Sequence, residues 1–246
     1  MLQLCAAGKL PSLSGCEELS ARCLCASGIF ALNLHFVATK ILLFYRYLFV
    51  NVRKMRAFVG IFLAPSLRVA VQGFCDELTA ACPSAKTAIK WVEPENFHLT
   101  LKFLGNVPSA TLPALTQALH EAASSAFEIS FGQADAFPSL LQPQTLWIGV
   151  QDGQQHLAAL AERIQVQLDA IGFPKDARQF SAHLTIGRMR QGYTVSGLGK
   201  VVKTLAPPFI GRQRVDSFAL IESCLTPKGP IYTPRATIAL TPSLSL

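Results

Sequence analysis

From residue 55 onward, the order of apolar and polar residues divides the chain into short strands and helices. Strands are predicted where apolar residues form a continuous run, as in residues 56–63, or alternate with polar residues, as in residues 97–104. The strands predicted from these two patterns cover residues 56–63, 89–92, 97–104, 127–134, 145–150, 179–187, 214–222 and 231–240.

Helices are predicted where apolar residues recur every three or four positions. The first covers residues 67–81, and its apolar stripe consists of Leu67, Val71, Phe74 and Leu78. The second begins near residue 111 and runs to about residue 125. The third follows Asp152, which can cap its first turn, and ends at Gly172.

Strands and helices alternate along the chain, and helices separate many of the strands from the next strand in sequence. This order predicts an α+β fold with mostly antiparallel sheets. The sequence has neither a P-loop nor a dinucleotide-binding glycine fingerprint. Residues 190–199 contain three glycines and are expected to form a mobile loop.

The leading part of the chain differs from the rest. Residues 28–50 are apolar enough to suggest a membrane anchor, but a histidine, a lysine and an arginine interrupt them, and each central charge costs about 3 kcal/mol on insertion scales. A clean strand pattern begins at Met55. We therefore predict a domain of residues 55–246 behind an extension, residues 1–54, that is disordered or not translated. Membrane association through residues 28–50 is the alternative.

Composition and charge narrow the class of protein. The 246-residue chain is 50% hydrophobic, which excludes an intrinsically disordered protein. Its net charge of +7 suits a polyanionic partner such as RNA, although residues 55–246 carry only +3. Cys75, Cys82 and Cys224 lie in this part without a disulfide pattern. We therefore expect a reducing compartment, namely the cytoplasm.

The most informative pattern is a repeated His-Leu-Thr on two predicted strands. One copy contains His98 and Thr100, and the other contains His183 and Thr185. Side chains at positions i and i+2 of a strand point to the same face. Each copy therefore presents an imidazole beside a hydroxyl, and Lys102 is predicted to share the face of the first pair.

These residue types indicate acid–base chemistry at phosphorus. One imidazole can act as a base on water while the other protonates the departing oxygen. The two threonine hydroxyls can donate hydrogen bonds to phosphate oxygens, and no metal is required. A single His-x-Thr is usually an ordinary polar strand face, whereas two copies favour a site. A histidine metal site is the competing interpretation, but no carboxylate stands at ligand spacing beside either histidine.

The chain resembles the two-histidine (2H) phosphoesterase superfamily, and within it the RNA 2′,3′-cyclic phosphodiesterases, also named 2′-5′ RNA ligases. The matching segments are MRAFVGIFLAP, WVEPENFHLTLKFLGNV, FSAHLTIGRMR and SFALIESCLTPKGPIYT. Residues 1–54 have no counterpart. The resemblance implies two pseudo-symmetric halves around a central cleft. It also implies hydrolysis of a terminal 2′,3′-cyclic phosphate to a 2′-phosphate.

The same resemblance implies roles for individual residues. His98 would be the general acid on the O3′ leaving group, and His183 the general base on water. Thr100 and Thr185 would bind the phosphate oxygens. Arg188 would add positive charge near the phosphate, provided that the strand turns or bulges after residue 187 to bring it to the histidine face.

Further aromatic and basic residues are candidates for substrate contact. Lys102 stands where arginine is frequent in the family, and a lysine lacks the planar fork for two parallel hydrogen bonds. Phe180 could stack on a terminal base, or equally belong to the core. Phe58 and Phe103 are expected to pack in the core.

Two other functions stay open on the sequence. One is a 2H enzyme acting on another cyclic nucleotide or on an oligonucleotide 3′ end. The other is a non-catalytic RNA- or nucleotide-binding module, against which the intact histidines and threonines argue. We expect a monomer with no cofactor and no stable protein partner. Its substrate would be RNA with a 2′,3′-cyclic phosphate end or a small cyclic nucleotide, and reverse 2′-5′ ligation is compatible with the same chemistry.

Overall fold

The computed structural model describes residues 54–227 and 229–242. The expectations for residues 1–53, including membrane association through residues 28–50, lie outside the described residues. Within the described ranges, no helix is both long and apolar enough to cross a membrane.

The described chain alternates strands and helices, as predicted. The strands are β1 Lys54–Phe62, β2 Ile89–Trp91, β3 His98–Pro108, β4 Phe127–Phe137, β5 Thr145–Val150, β6 His183–Met189, β7 Gly211–Val215, β8 Ser217–Thr226 and β9 Gly229–Ala239. The helices are α1 Pro65–Ala81, α2 Ala85–Ala88, α3 Leu112–Ala122, α4 Gln154–Asp169 and α5 Leu198–Leu205. Short 3-10 turns at Pro94–Asn96 and Ser109–Thr111 precede β3 and α3.

The strands form one curled sheet in the order β7-β4-β5-β6-β3-β1-β8-β9, with β2 beside β6. Between these strands, every pairing in the described part of the chain is antiparallel. The first half contributes β1, β3, β8 and β9, and the second contributes β4 to β7. The two halves meet where β3 pairs with β6. The predicted α+β class is confirmed, and its two halves share one continuous sheet.

One face of this sheet packs on the helices to form the core. The predicted stripe of α1 is confirmed, since Leu67, Val71, Phe74 and Leu78 are all buried. Burial of an aliphatic or aromatic side chain of this size contributes about 1.5–3 kcal/mol. Apolar residues of α3 and α4 join the same core. This anchoring holds the strands in place, so that their opposite face can carry polar groups.

The structure corrects one prediction about a helix cap and adds one helix. Asp152 does not cap α4, because its carboxylate accepts a hydrogen bond from the hydroxyl of Ser130 at 2.6 Å, and Gly153 occupies the capping position. The predicted loop over residues 190–199 is confirmed for residues 190–197, but the helix that follows it, α5 from Leu198, was not predicted. Burial of Leu198 and Val202 stabilises this helix despite its glycine-rich start.

The curl of the sheet brings edge strand β7 to the end of β1. The side chain of Gln213 makes both contacts there. Its Oε1 accepts a hydrogen bond from the backbone N–H of Ala64 at 2.8 Å, and its Nε2 donates to the carbonyl oxygen of Phe62 at 3.0 Å. A glutamine amide thus replaces a pair of backbone hydrogen bonds and ties the second half to the first.

Candidate active site

The two His-Leu-Thr segments lie side by side where the two halves of the sheet meet. Strands β3 and β6 pair antiparallel through Leu99 and Leu184, and both leucines are buried in the core. Residues on either side of a strand position point to the opposite face. The four side chains that share this opposite face, called the cleft face below, are His98, Thr100, His183 and Thr185. Because the strands are antiparallel, each histidine is directed toward the threonine of the other segment.

Both histidine rings are held in the same way. His98 Nδ1 lies 2.6 Å from the carbonyl oxygen of Asn96, and His183 Nδ1 lies 2.8 Å from that of Ser181. A carbonyl oxygen can only accept a hydrogen bond, so Nδ1 must donate in each ring. In the neutral imidazole, Nε2 is then the nitrogen without a proton. Each histidine therefore has Nε2 available to take up or release a proton.

Aromatic rings surround His98. The ring of Phe58 lies 4.8 Å from the imidazole between centroids, that of Tyr232 lies 5.0 Å away in a T-shaped contact, and that of Phe62 lies 6.5 Å away. Phe58 is buried, as predicted, but it lies in a small cluster with Ala219 and Ile221 rather than in the main core. These rings exclude water from one side of His98.

Burial lowers the pKa of His98 below its ordinary value of 6.5. The hydrogen bond to Asn96 opposes this shift by favouring the charged ring, whereas the charges of Arg188 and His183 add to it. Burial also raises the pKa of Tyr232, while Arg188 and Arg56 act in the other direction. The positive charge of Arg188 thus acts on both His98 and Tyr232.

His183 has a different aromatic neighbourhood. The ring of Phe137 meets its imidazole edge-on at 5.1 Å, and Trp147 lies 6.2 Å away. Phe137 and Trp147 also stack on each other at 5.1 Å. Gly149 is the residue directly opposite His183 on β5.

A β-bulge brings Arg188 to the cleft face. Thr185 and Gly187 pair with consecutive residues of β5, so that Ile186 between them has no partner. The extra residue shifts the alternation of faces by one position and turns Arg188 to the cleft face. There its Nη1 donates to the hydroxyl of Thr145 at 3.1 Å. The condition set for Arg188 is thus met, although the bulge precedes residue 187 rather than following it.

A corresponding bulge in β3 separates Lys102 from the cleft face. Thr100 and Lys102 pair with consecutive residues of β1, which leaves Leu101 without a partner. The bulge turns Lys102 toward the core and Phe103 toward the cleft face. The prediction that Lys102 shares the face of the first histidine is therefore wrong, and so is the core position of Phe103, which is 65% exposed.

Lys102 instead holds a loop of the second half. Its side chain is only 2% exposed, and its ammonium donates to the carbonyl oxygen of Pro174 at 2.8 Å and contacts the carboxylate of Asp176 at 3.3 Å. Gln165 supports the same loop by accepting a hydrogen bond from the Asp176 backbone N–H at 2.7 Å. Buried in this way, Lys102 has no exposed charge to offer a substrate on the cleft face.

Phe180 lies beside α4, away from the ring contacts described for His183. It packs against the core and lines a cavity of about 310 Å³ between α4 and the loop that follows. The other lining residues are Ala158, Glu162, Gln165, Lys175, Asp176, Ala177, Arg178 and Gln179. Of the two alternatives considered for Phe180, these contacts match the core position.

Two residues near the histidines were missed by the sequence analysis. Tyr232 lies on β9 and Trp147 on β5, far in sequence from the histidines that they contact. Tyr232 belongs to the last family-like segment, which ends in Ile-Tyr-Thr. Its place in that segment could have identified Tyr232 as a candidate from the sequence. The contact of Trp147 with His183 depends instead on the pairing of β5 with β6.

The repeated motif presents imidazoles and hydroxyls on the cleft face, without a carboxylate or a thiol. Across residues 54–227 and 229–242, no three His, Cys, Asp or Glu side chains cluster so that they could hold a metal ion. His120 and His156 lie exposed on helices, and His156 stacks on Phe127 at 5.4 Å.

Comparison with known proteins also divides the chain into two repeats, with the boundary between residues 147 and 148, inside β5. A family model described as LigT like Phosphoesterase matches residues 68–147 and, in a second match, residues 148–232. Each matched stretch contains one His-Leu-Thr segment. The repeat noted in the sequence therefore corresponds to two matches to one family model.

Individual relatives match over nearly their whole length. A protein of Archaeoglobus fulgidus named RNA 2′,3′-cyclic phosphodiesterase is 37% identical over 178 residues, which cover 72% of this chain and 96% of the relative. One of the same name from Aquifex aeolicus is 34% identical over 183 residues, covering 73% and 94%. The crystal structure of TT0787 of Thermus thermophilus is 27% identical, with a TM-score of 0.61, and the match covers 77% of this chain and 100% of that one.

Proposed function

Because the chain belongs to the LigT-like phosphoesterase family, we propose that it is an RNA 2′,3′-cyclic phosphodiesterase that opens a terminal cyclic phosphate and leaves a 2′-phosphate. The observation that carries this proposal is the pair of histidines on one face of the sheet, each with Nδ1 donating to a backbone carbonyl. The names of the relatives from Archaeoglobus fulgidus and Aquifex aeolicus support the substrate class.

Hydrolysis needs one proton removed and one supplied. His183 Nε2 takes a proton from water as the water oxygen attacks phosphorus. The bond between phosphorus and O3′ then breaks, and the proton on His98 Nε2 passes to O3′. After one turnover His183 carries an additional proton and His98 has lost one, and proton exchange with solvent restores both rings. The same two groups would serve reverse 2′-5′ ligation, with an RNA hydroxyl in place of water.

The acid role requires His98 to be protonated when the substrate is bound. In the free protein, burial and nearby positive charge lower the pKa of His98, which favours the neutral ring. A phosphate anion bound between the two histidines reverses this balance, because an adjacent negative charge stabilises the imidazolium. Substrate binding therefore helps to charge the acid at the place where its proton is used.

The remaining groups on the cleft face stabilise the phosphate. The hydroxyls of Thr100 and Thr185 donate hydrogen bonds to its non-bridging oxygens, and Arg188 supplies positive charge. A preorganised donor of this kind typically contributes a factor of 10²–10³ to the rate, roughly 2.7–4 kcal/mol. The mechanism needs no metal ion to polarise the phosphate.

The thiols of the domain fit a protein kept in the cytoplasm. Cys75 and Cys82 are buried and unpaired, and Cys224 is exposed and unpaired. Burial, with the neighbouring charge of Asp76, raises the pKa of Cys75 to about 12, so this thiol stays protonated and unreactive. Free thiols in these positions persist in a reducing compartment.

The decisive experiment is hydrolysis of an oligoribonucleotide with a 2′,3′-cyclic phosphate end by the full chain in the presence of EDTA. We expect opening of the ring, with a 2′-phosphate identified by ³¹P NMR. A 3′-phosphate product would contradict the assignment of O3′ as the leaving group. Strict dependence on an added divalent ion would support the metal alternative, and absence of ring opening would refute the proposal.

A further inference from the structure

A row of cross-strand neighbours extends the cleft face beyond the two histidines. Lys90 of β2 lies directly opposite Arg188 of β6, and on the other side Arg188 lies opposite Thr145 of β5. Residues directly opposite in antiparallel strands share a face. Since Arg188 and Thr145 lie on the cleft face, Lys90 lies on it as well.

The direction of Lys90 is fixed by its neighbours. Ile89 is buried, and Trp91 packs with it on the core side above Gly187. A Cβ atom at Gly187 would stand 2.7 Å from Ile89 Cγ2 and 3.1 Å from Trp91 Cε3. Close packing of this kind holds β2 against β6, so the intervening Lys90 must point to the cleft face.

The charge of Lys90 is exposed and not neutralised by an ion pair. Lys90 is exposed and takes no part in the ion pairs found among the described residues, such as those of Lys102 with Asp176 and Lys175 with Glu162. Lys90 therefore adds to the positive charge of Arg188, and the mechanism proposed above makes no use of it.

The position of Lys90 relative to the catalytic groups suits a second phosphate. Arg188 follows Thr185 by three residues, and β2 lies one strand spacing beyond β6. With about 3.3 Å per residue along a strand and about 4.8 Å between strands, the backbone of Lys90 lies roughly 11 Å from that of Thr185. A long, flexible lysine side chain can bridge the space between such a position and a phosphate beside the terminal one.

We propose that Lys90 binds the phosphodiester immediately 5′ of the terminal nucleotide, with Arg188 between the two phosphates. This inference rests on the proposed function and extends it: the substrate class is an oligonucleotide end, and a mononucleotide fills only part of the site. Binding at the second phosphate is electrostatic and independent of base sequence.

Binding of product-like ligands to the full chain tests this site without requiring turnover. The two probes are a diribonucleotide with a terminal 2′-phosphate and the corresponding nucleoside 2′-phosphate, compared by calorimetry. We expect the native protein to bind the dinucleotide about tenfold more tightly, as one charge-assisted contact provides. Lys90→Ala should remove this preference without changing the affinity for the mononucleotide, and Lys90→Arg should retain it.

Two further measurements separate the site from general electrostatics. The slope of log affinity for the dinucleotide against log salt concentration should fall by about 0.7 in Lys90→Ala, the value for one phosphate on a single strand. Lys203→Ala, which removes an exposed lysine of α5, should leave the preference and the slope unchanged.

Equal affinity of the native protein for both probes would overturn the inference, and so would an equal loss for both probes in Lys90→Ala. These outcomes differ from failure of the proposed function, which would appear as no opening of a cyclic phosphate. A lost dinucleotide preference in Lys90→Ala would still support the phosphodiester site in that case.

Discussion

Leu99 and Leu184 face each other across the junction of β3 and β6, and their burial directs the histidines and threonines on either side of them to the opposite surface. In each His-Leu-Thr segment, the leucine is buried in the core and the histidine and threonine on either side of it reach the cleft face. The antiparallel pairing relates the two copies by an approximate twofold axis, so that the histidine of each copy lies opposite the threonine of the other.

Removal of either histidine should abolish hydrolysis. His98→Ala and His183→Ala each eliminate one proton transfer, and such groups typically contribute 10²–10⁴-fold to the rate. Cleavage of an oligonucleotide 2′,3′-cyclic phosphate in EDTA measures the loss, with circular dichroism as a check on folding. His120→Ala, at an exposed helical histidine, should retain native activity. Native rates in both cleft variants would contradict the two-histidine mechanism.

Replacement of Arg188 should change the titration of His98. The positive charge of Arg188 contributes to the lowered pKa of His98, so Arg188→Gln should raise that pKa. Because the acid must carry a proton, the alkaline decline of kcat/KM should move to higher pH while the maximal rate falls. NMR titration of the His98 ring measures the shift directly.

Arg212→Gln is the matched control, since Arg212 lies on edge strand β7 over the ring of Phe209. It should leave the His98 titration unchanged. An unaltered or lowered pKa of His98 in Arg188→Gln would show that these two side chains do not interact as described.

Lys102 should affect stability but not substrate affinity. Lys102→Met keeps the buried chain and removes the contacts to Pro174 and Asp176, so unfolding free energy should fall by about 1–3 kcal/mol. The KM for a cyclic phosphate substrate should stay unchanged. Arg188→Met should show the reverse pattern, with a higher KM and stability within about 0.5 kcal/mol of native, as is usual for an exposed site. An increased KM in Lys102→Met would place Lys102 in the binding site after all.

Gly187 should not tolerate a side chain. Its Cβ would collide with Ile89 and Trp91, and overpacking of this kind costs about 1–3 kcal/mol. Urea denaturation of Gly187→Ala measures the loss. Gly73→Ala is the control: Gly73 lies within α1 with no atom within 4 Å of its would-be Cβ, so alanine should stabilise the protein by about 0.5–1 kcal/mol. Equal stability of the two variants would contradict the close packing of β2 on β6.

The faces of the motif strands could be predicted from sequence wherever alternation is regular. His98 with Thr100, and His183 with Thr185, follow directly from the period of two residues. The positions of Lys102, Phe103 and Arg188 do not, because each lies beyond a bulge. A bulge is decided by the register with the neighbouring strand, β1 in one case and β5 in the other, and no local pattern in β3 or β6 specifies it.

Long-range contacts set the other limit. Tyr232 reaches His98 because β9 pairs with β8, which pairs with β1, and this order is a property of the whole sheet. Helix α5 was missed for a related reason: its stability comes from residues that it buries against other elements, while its own glycines argue for a loop. Helix α1 could be predicted from its own sequence, because its whole apolar stripe lies within that one helix.

The amide contacts of Gln213 have a consequence for the shape of the sheet. Strands β7, β4, β5, β6, β3 and β1 follow one another through backbone pairing, and Gln213 joins the last of them back to the first. Gln213 therefore links the two ends of this six-strand path, and the β3–β6 junction that carries the two histidines lies between them. One glutamine amide thus does for the curled sheet what a further strand pairing would do in a closed barrel.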